Sequence, residues 1–583
     1  MNLKPFVFLV MSLIAVLALA RGWKSEGGAL RTNLIESDGI GYYMYLPAIF
    51  ISQNLSHQEV DNRYIFNQDG RAVNKYFAGT AYLMAPFFGV AALIDYPNEG
   101  PINPYSRTFQ LAIAIAALFY FFIGLFTLFR LMREMRFTDV SICISMVALV
   151  FGTNLLVYTV YHPSLSHVYS FACNTLFLWC AHRLFRSPSN RMLMCASALL
   201  GLAVAIRPIN LLIVLTIPLL GVKREELHHA MKFGLQYRRL LLACATIGLI
   251  LLPQFVLWRI QSGSWFLQSY KNEGFYFNDP EITNFLFSFR KGLFIYSPIL
   301  LISVCGALFF APLRMQRVFF ALFFVVFVYI SASWWNWYYG PSFGQRVVVD
   351  FASVMVVGLA FLVQHFYKLK YRAILIGFLG ILVILNLIQS YQYAQNILCS
   401  WNMNFEKYKY VFLSIDKSKQ GVFGGQDDIA PFGQAIQAIA TRTEDFNNDE
   451  MPAGVDGRMD RSKNMEGLEF SPAWELPAPS KWVDFKTHYA EIELSVWEEC
   501  TNACKEALLV FEIKSTGSDR YFYRAIRLMD VPDGEPHQWI QRKYSIETDV
   551  IKREGDTIRA YLWNKDKANF LLDNVRITLF DIQ

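Results

Sequence analysis

Apolar and polar positions divide this chain into two unlike parts. Up to about residue 393, long apolar runs alternate with short polar segments; beyond that point the composition is mixed and a period of two takes over. The apolar runs predict membrane-spanning helices at roughly 4–21, 108–131, 140–160, 167–185, 191–206, 208–222, 239–258, 292–312, 317–334, 351–367 and 371–392, each near the length that crosses a bilayer. Pro208 breaks a continuous helix, and Arg207 beside it needs a polar cavity or the interface. The run 77–94 reads either as a further span or as a helix lying in the interface. An interfacial placement puts Arg130, Arg133, Arg136, Arg183, Arg186, Arg191, Lys223, Arg224, Arg238, Arg239, Arg314, Arg317, Lys368, Lys370 and Arg372 on one side, which is the cytoplasmic side by charge bias. The expectation is therefore about eleven spans, a cytoplasmic N-terminus with an uncleaved first helix, and everything after Tyr393 outside.

In the C-terminal part, 394–465 reads as an irregular linker with some helix. From 466 the alternation takes over, with Ala490, Ile492, Leu494 and Val496 on one strand face. Further strands are expected near 506–514, 520–528, 538–546, 556–563 and 570–580, separated by turn residues such as Pro532-Asp533-Gly534. That pattern predicts an all-β sandwich over 466–583. The fold class is thus a polytopic α-helical membrane domain, 1–393, followed by a water-soluble β domain.

Composition agrees: of 583 residues, 54% are hydrophobic and only 17% charged, against about a quarter in soluble proteins. The net charge of +6 comes from loop Lys and Arg that orient the chain, and no basic stripe is interleaved with aromatics, so no nucleic-acid partner is expected. Six of the nine cysteines lie in apolar runs and read as small hydrophobes; Cys500 and Cys504 are candidates for a disulfide in an oxidising compartment. No phosphate-cradling glycine loop, nucleophile elbow or dinucleotide fingerprint is present, which argues against a nucleotide-driven pump.

The chemistry gathers in the expected outer loops, 22–107, 259–291 and 334–350. The first is too long for a mere connector, and 42–55 within it, like 77–94, suits a helix lying flat on the membrane. After the first span comes Glu36-Ser37-Asp38-Gly39-Ile40-Gly41-Tyr42-Tyr43, two acids at a membrane face, followed by glycines suited to close approach of a ligand. Lys75 in Lys75-Tyr76-Phe77-Ala78-Gly79 suits a phosphate, as do Arg290 and Lys291. The segment from Trp334 to Arg346 adds flat aromatic faces and a guanidinium, a combination suited to a sugar and a phosphate, with Asp350 an orienting partner. Tyr42, Tyr43, His162, His167, Tyr270, Trp337, Tyr339 and Gln345 are the candidate cleft-lining residues. His162 and His167 are not spaced as a helical metal pair, and no metal cluster is evident. Interfacial anchoring explains any one of these residues; their order and common side favour a site.

The spaced motifs Ser37-Asp38-Gly39-Ile40-Gly41-Tyr42-Tyr43, Lys75-Tyr76-Phe77-Ala78-Gly79, Arg207-Pro208 and Ser342-Phe343-Gly344-Gln345-Arg346 resemble the C-type membrane glycosyltransferases, the superfamily of protein O-mannosyltransferases and the lipid A aminoarabinose transferase. The resemblance covers 1–393. It implies a polyprenyl-phosphate-linked sugar donor used on the outer face of the cytoplasmic membrane, inversion at the anomeric carbon, and an aspartate base in the first outer loop. That role falls on Asp38, with Glu36 the alternative acid. The phosphate-binding lysine falls on Lys75, joined by Arg346, Arg207, Arg290 and Lys291. Many members have a proline-rich return where this chain has Phe77-Ala78-Gly79. Donor activation upstream removes any obligatory cofactor, and a divalent metal stays open. Partners are membrane lipids, the lipid-linked donor, and a glycan, lipid or protein acceptor. Leu571-Leu572-Asp573-Asn574-Val575-Arg576-Ile577 resembles the last strand of jelly-roll carbohydrate-binding modules, with Tyr521, Tyr523, Trp539 and Trp563 as a possible platform. Two other function classes stand beside this one: a transporter or lipid flippase with an accessory outer domain, and a non-catalytic envelope scaffold. No internal repeat of the transporter kind is visible.

Overall fold

The computed structural model describes residues 34–55, 64–68, 71–96, 102–220, 224–270, 274–367, 369–400, 403–419, 436–444, 463–465, 467–479, 488–498, 507–514, 520–528, 539–548, 556–565 and 567–582, with positions 14, 25, 26, 29 and 30 before them. The expected first span, 4–21 (all of it except Ile14), the Cys500–Cys504 pair and the Pro532-Asp533-Gly534 turn lie outside the described residues. The chain divides into two compact units, Met1–Ser390 and Tyr391–Gln583.

The first unit is helical. Among the described residues, five helices are long and apolar enough to cross a membrane: Arg107–Glu134, Tyr237–Ser262, Arg314–Ser333, Arg346–Phe366 and Arg372–Ala394. The expected count of about eleven is not reached by this measure, because several expected spans are short or broken. The run 140–160 splits into Asp139–Phe151 and Leu155–Val160. The run 292–312 splits into Leu293–Tyr296, Ile299–Cys305 and a π-helical turn, Gly306–Phe310. Pro208 ends Asn190–Ile206 by forcing Arg207 into an extended conformation, and a 3-10 helix, Pro208–Leu220, follows. Helix starts follow ordinary capping: Thr138 Oγ1 accepts from Ser141 N and Ser189 Oγ from Met192 N.

The first loop does not lie as one flat helix over 42–55; it forms two single turns, Asp38–Tyr43 and Tyr45–Phe50. Gln110 Oε1 accepts from Leu34 N and Ile35 N, pinning the loop to the long helix Arg107–Glu134. The hairpin Ile65–Gln68 with Arg71–Asn74 then delivers Lys75. Asn74 Nδ2 donates to Gly41 O at 2.7 Å, and Tyr45 Oη to Tyr76 O, so hairpin and acid loop are tied together.

The glycines correct the expectation set for them. A Cβ on Gly39 would stand 2.0 Å from Ser164 Oγ, and one on Gly41 2.3 Å from the Tyr76 ring. They admit protein neighbours, not a ligand. The run 77–94 forms the helix Gly79–Asp95, whose 17 residues give about 26 Å, short of a bilayer's apolar core. At its start, Gly79 lies against the backbone of Ala205, within 2.3 Å of where a Cβ would sit. This contact brings the Lys75 turn beside Arg207. Gly79→Val is expected to cost about 1–3 kcal/mol by overpacking, read as a lower midpoint of thermal unfolding; an unchanged midpoint would show that the crossing relaxes.

The second unit holds two antiparallel sheets. One contains, in order, Arg520–Arg527, Ala507–Lys514, Thr557–Asn564 and Trp474–Pro477; the other Trp539–Thr548, His488–Glu498, Phe570–Ile582 and Ile436–Glu444, with Lys463–Asn464 also paired to Phe570–Ile582. Their inner faces share a core in which Ala490, Ile492, Leu494 and Val496 meet Leu509, Phe511 and Ile513. The alternation Ile558, Ala560, Leu562 buried against Thr557, Arg559, Tyr561 half-buried is the period-two pattern made physical. The run 394–465 is not purely irregular: it contains the helix Phe405–Val411 and the strand Ile436–Glu444, which completes a sheet edge. The aromatics proposed as one platform are divided. Trp539 packs on Trp497 in one sheet, Trp563 on Phe470 beside the other, and the Tyr521 side chain lies outside the described residues.

Candidate functional site

Four segments of the first unit, distant in sequence, meet at one cavity of about 300 Å³. Asp38 enters from the first loop, Lys75 and Tyr76 from the hairpin return, Arg207 from the helix break, and Trp334, Trp335, Tyr339 and Arg346 from the aromatic loop. Tyr42, Phe77, His167, Tyr270, Phe275 and Asn336 complete its polar and aromatic wall, while Leu165, Ile206, Pro208 and Ile209 supply an apolar one.

Asp38 and Arg346 are 308 positions apart in the chain, yet Arg346 Nη2 stands 2.5 Å from Asp38 Oδ2. The other carboxylate oxygen, Oδ1, accepts from Tyr76 Oη at 2.8 Å. Asp38 keeps a quarter of its side chain exposed and Arg346 an eighth, so both face the cavity. Burial pushes the Asp38 carboxyl up, but the charges of Arg346 and Lys75 and the Tyr76 hydroxyl outweigh it and hold the group below its ordinary value. It is therefore ionised throughout the physiological range. The Lys75 ammonium lies 5.2 Å from the Tyr76 ring centroid and 5.9 Å from that of Tyr270, which holds it over aromatic faces at the cavity wall.

A second charged cluster lies in the same cavity's wall. Asp350 is fully buried, with Oδ1 2.8 Å from His167 Nδ1 and Oδ2 3.2 Å from Arg207 Nη1. Arg207 Nη1 is also 3.0 Å from His167 Nδ1. Asn174 Nδ2 donates to the Asp350 carbonyl, fixing its backbone. Arg207 alone of the three keeps appreciable exposure, 18% of its side chain.

The aromatic loop is held from behind. Asn154 Nδ2 donates to Phe343 O, Tyr158 Oη accepts from Phe343 N, and Lys291 Nζ donates to Ser342 O. Gly340 and Gly344 take positive φ, as does Tyr339 at 57°, a conformation uncommon for a residue with a Cβ. These angles turn Tyr339 and Arg346 to the cavity.

Eight of the residues singled out from sequence line this cavity: Asp38, Tyr42, Lys75, His167, Arg207, Tyr270, Tyr339 and Arg346. Seven do not. Glu36 sits 3.0 Å from His162 Nδ1, a pair of their own. Tyr43 is buried and donates to Pro104 O. Arg290 is buried with its guanidinium 3.1 Å over the Tyr338 ring, and Lys291 is buried against Ser342, so these two cations buttress the aromatic loop instead of facing the cavity. Trp337 packs on Tyr338, and its carbonyl accepts from Gln345 Nε2. The sequence reading overlooked Trp334, Trp335 and Phe275 as individual lining residues, and Asn154 and Tyr158 as supports. An aromatic among many interfacial aromatics carries no separate signal. Among the described residues, no three His, Cys, Asp or Glu side chains converge as a metal site requires.

No family model and no curated protein matches the chain. Solved structures do. The archaeal oligosaccharyltransferase AglB from Archaeoglobus fulgidus, in complex with an inhibitory peptide and a dolichol-phosphate, is 14% identical over 74% of this chain and 62% of its own, with a TM-score of 0.40. The arabinosyltransferase EmbB from Mycobacterium smegmatis is 9% identical over 99% of this chain and 68% of its own, with a TM-score of 0.35. This chain thus spans less than two thirds of the AglB length. At such identities and TM-scores no function is carried from them to this protein.

Proposed function

We propose that this protein is a membrane glycosyltransferase of the C type, which moves a sugar from a polyprenyl-phosphate donor to an acceptor hydroxyl. The observation that carries the reading is the Asp38–Arg346 pair, opened to a cavity that Lys75 also lines. One carboxylate and nearby cations are what such a transfer requires. The Asp38 carboxylate takes the acceptor's O–H proton as the acceptor oxygen attacks the anomeric carbon. The bond from that carbon to the phosphate oxygen breaks on the opposite face, so the configuration inverts. Polyprenyl phosphate leaves, its growing negative charge neutralised by Lys75 and Arg346. The tryptophans and tyrosines of the wall offer flat faces to a sugar ring.

The resting ion pair also suggests an order of events. While Arg346 holds Asp38, the carboxylate is a weak base. A donor phosphate competes for the same guanidinium, and an aspartate that shares Arg346 with a phosphate regains basicity. Base activation is thereby linked to donor binding. Placement of the cavity on the outer face of the cytoplasmic membrane, with the β domain extracytoplasmic, belongs to the same proposal and rests on the loop-charge bias.

The test uses full-length protein purified in detergent or nanodiscs, with a panel of polyprenyl-phosphate sugars and mass-spectrometric readout. Release of polyprenyl phosphate together with an inverted glycoside supports the reading. Movement of intact lipid-linked sugar between leaflets, without its cleavage, overturns it in favour of a flippase.

A further inference from the structure

The Arg207–His167–Asp350 cluster cannot be satisfied as it stands. His167 Nδ1 is within hydrogen-bond distance of both Asp350 Oδ1, at 2.8 Å, and Arg207 Nη1, at 3.0 Å. A ring nitrogen carries either one proton or one lone pair. Protonated, Nδ1 serves Asp350 and confronts the Arg207 N–H as a second donor. Unprotonated, it serves Arg207 and confronts a carboxylate oxygen as a second acceptor. Asp350 and His167 are almost fully buried, so water does not relieve the conflict. Arg207 is the one member with an outlet, because its head reaches the cavity.

We infer that Arg207 is a movable anion clamp: it is parked on Asp350 in the state described here, and it swings to the phosphate of an incoming polyprenyl-phosphate ligand while His167 Nδ1–H takes over Asp350. Asp350 and His167 are positioning residues in this scheme, and Arg207 is the group that touches the ligand. The inference rests on the donor class proposed above and adds a site of phosphate recognition distinct from Arg346. Leaving Asp350 without Arg207 would ordinarily be costly for a buried carboxylate. A donor already in place 2.8 Å away, together with the end of the donor–donor contact, lowers that cost.

Two substitutions at one position separate this from a passive structural role. Asparagine places its amide N–H where Nδ1–H would be, so His167→Asn satisfies Asp350 and should release Arg207. Leucine offers Asp350 nothing, so His167→Leu should lock Arg207 in place. Binding of a short polyprenyl phosphate to the full-length protein is measured, with uncharged polyprenol as control. The expected result is opposite shifts: Kd about threefold tighter for His167→Asn and about tenfold weaker for His167→Leu, with both differences abolished in an Arg207→Gln background. Shifts of the same sign, no shift in either variant, or differences that persist without Arg207 overturn the swing. Wild-type protein that binds polyprenyl phosphate no better than polyprenol overturns the donor reading instead. A ligand-bound structure adds a direct readout: Arg207 against the phosphate, and farther from Asp350 than 3.2 Å.

Discussion

Asp38→Asn is expected to lower the sugar-transfer rate by about a thousandfold, within the range of about 10²–10⁴ that a positioned general base supplies. The substitution keeps the shape of the side chain and its reach to Tyr76 and Arg346, so the fold should persist. Removing the negative charge also frees Arg346 for the donor phosphate. Donor binding should therefore be retained or tightened while kcat collapses, a split that loss of structure would not produce. Transfer rate and donor affinity, compared in membranes at matched expression, check both halves. Near-normal transfer would remove Asp38 from the role. The pH dependence has a definite sign. The base works only when ionised, and its pKa in the free protein is depressed, so kcat/KM should hold as pH falls until the medium reaches that lowered value. The same shift contributes stability above the ordinary aspartate pKa, and this is lost as pH falls through the lowered one. Tyr76→Phe and Lys75→Ala each remove an influence that holds the group down, so each should move the acid limb of the rate profile upward.

Arg346→Met should be the second most damaging change, lowering kcat/KM by about 10²–10³, the scale of losing one group that stabilises charge in the transition state. It should also destabilise the fold, and by more than Asp38→Asn, whose amide keeps an oxygen for Arg346 although the charge attraction is lost. Removing one partner of a buried ion pair leaves the other charge stranded, which typically costs about 3–5 kcal/mol. Asp38 keeps a quarter of its side chain exposed, so a loss nearer about 2 kcal/mol is expected here. Adding Asp38→Asn to Arg346→Met should restore much of the lost unfolding midpoint without restoring activity, since the stranded charge is gone but the base with it. If the double variant is as unstable as Arg346→Met alone, the contact carries no coupling energy.

The local level was readable without coordinates. Apolar runs longer than a globular helix, loops rich in Lys and Arg, and the period-two alternation after 466 each follow from one element's surroundings, lipid or a sheet face. Pro208 as a helix break and the strands of the β domain are read the same way, because proline's missing donor and a strand's two faces are local facts. The edge strand Ile436–Glu444 escaped because only its pairing with Phe570–Ile582 makes it a strand. Asp38, Lys75 and Arg346 were likewise visible as chemically unusual residues beside apolar runs. What the chain order does not contain is which charge neutralises which. Arg290, Lys291 and Arg346 are equally basic on paper; packing buries the first two against Tyr338 and Ser342 and turns the third to Asp38. Glu36 and Asp38 are two residues apart, and the single helical turn that begins at Asp38 directs one to His162 and the other to the cavity. Periodicity and composition depend on each residue's own transfer energy, so sequence alone determines them. The pairing of charges depends on distances set by contacts such as Gly79 against Ala205 and Asn154 under Phe343, and those exist only once the chain has folded.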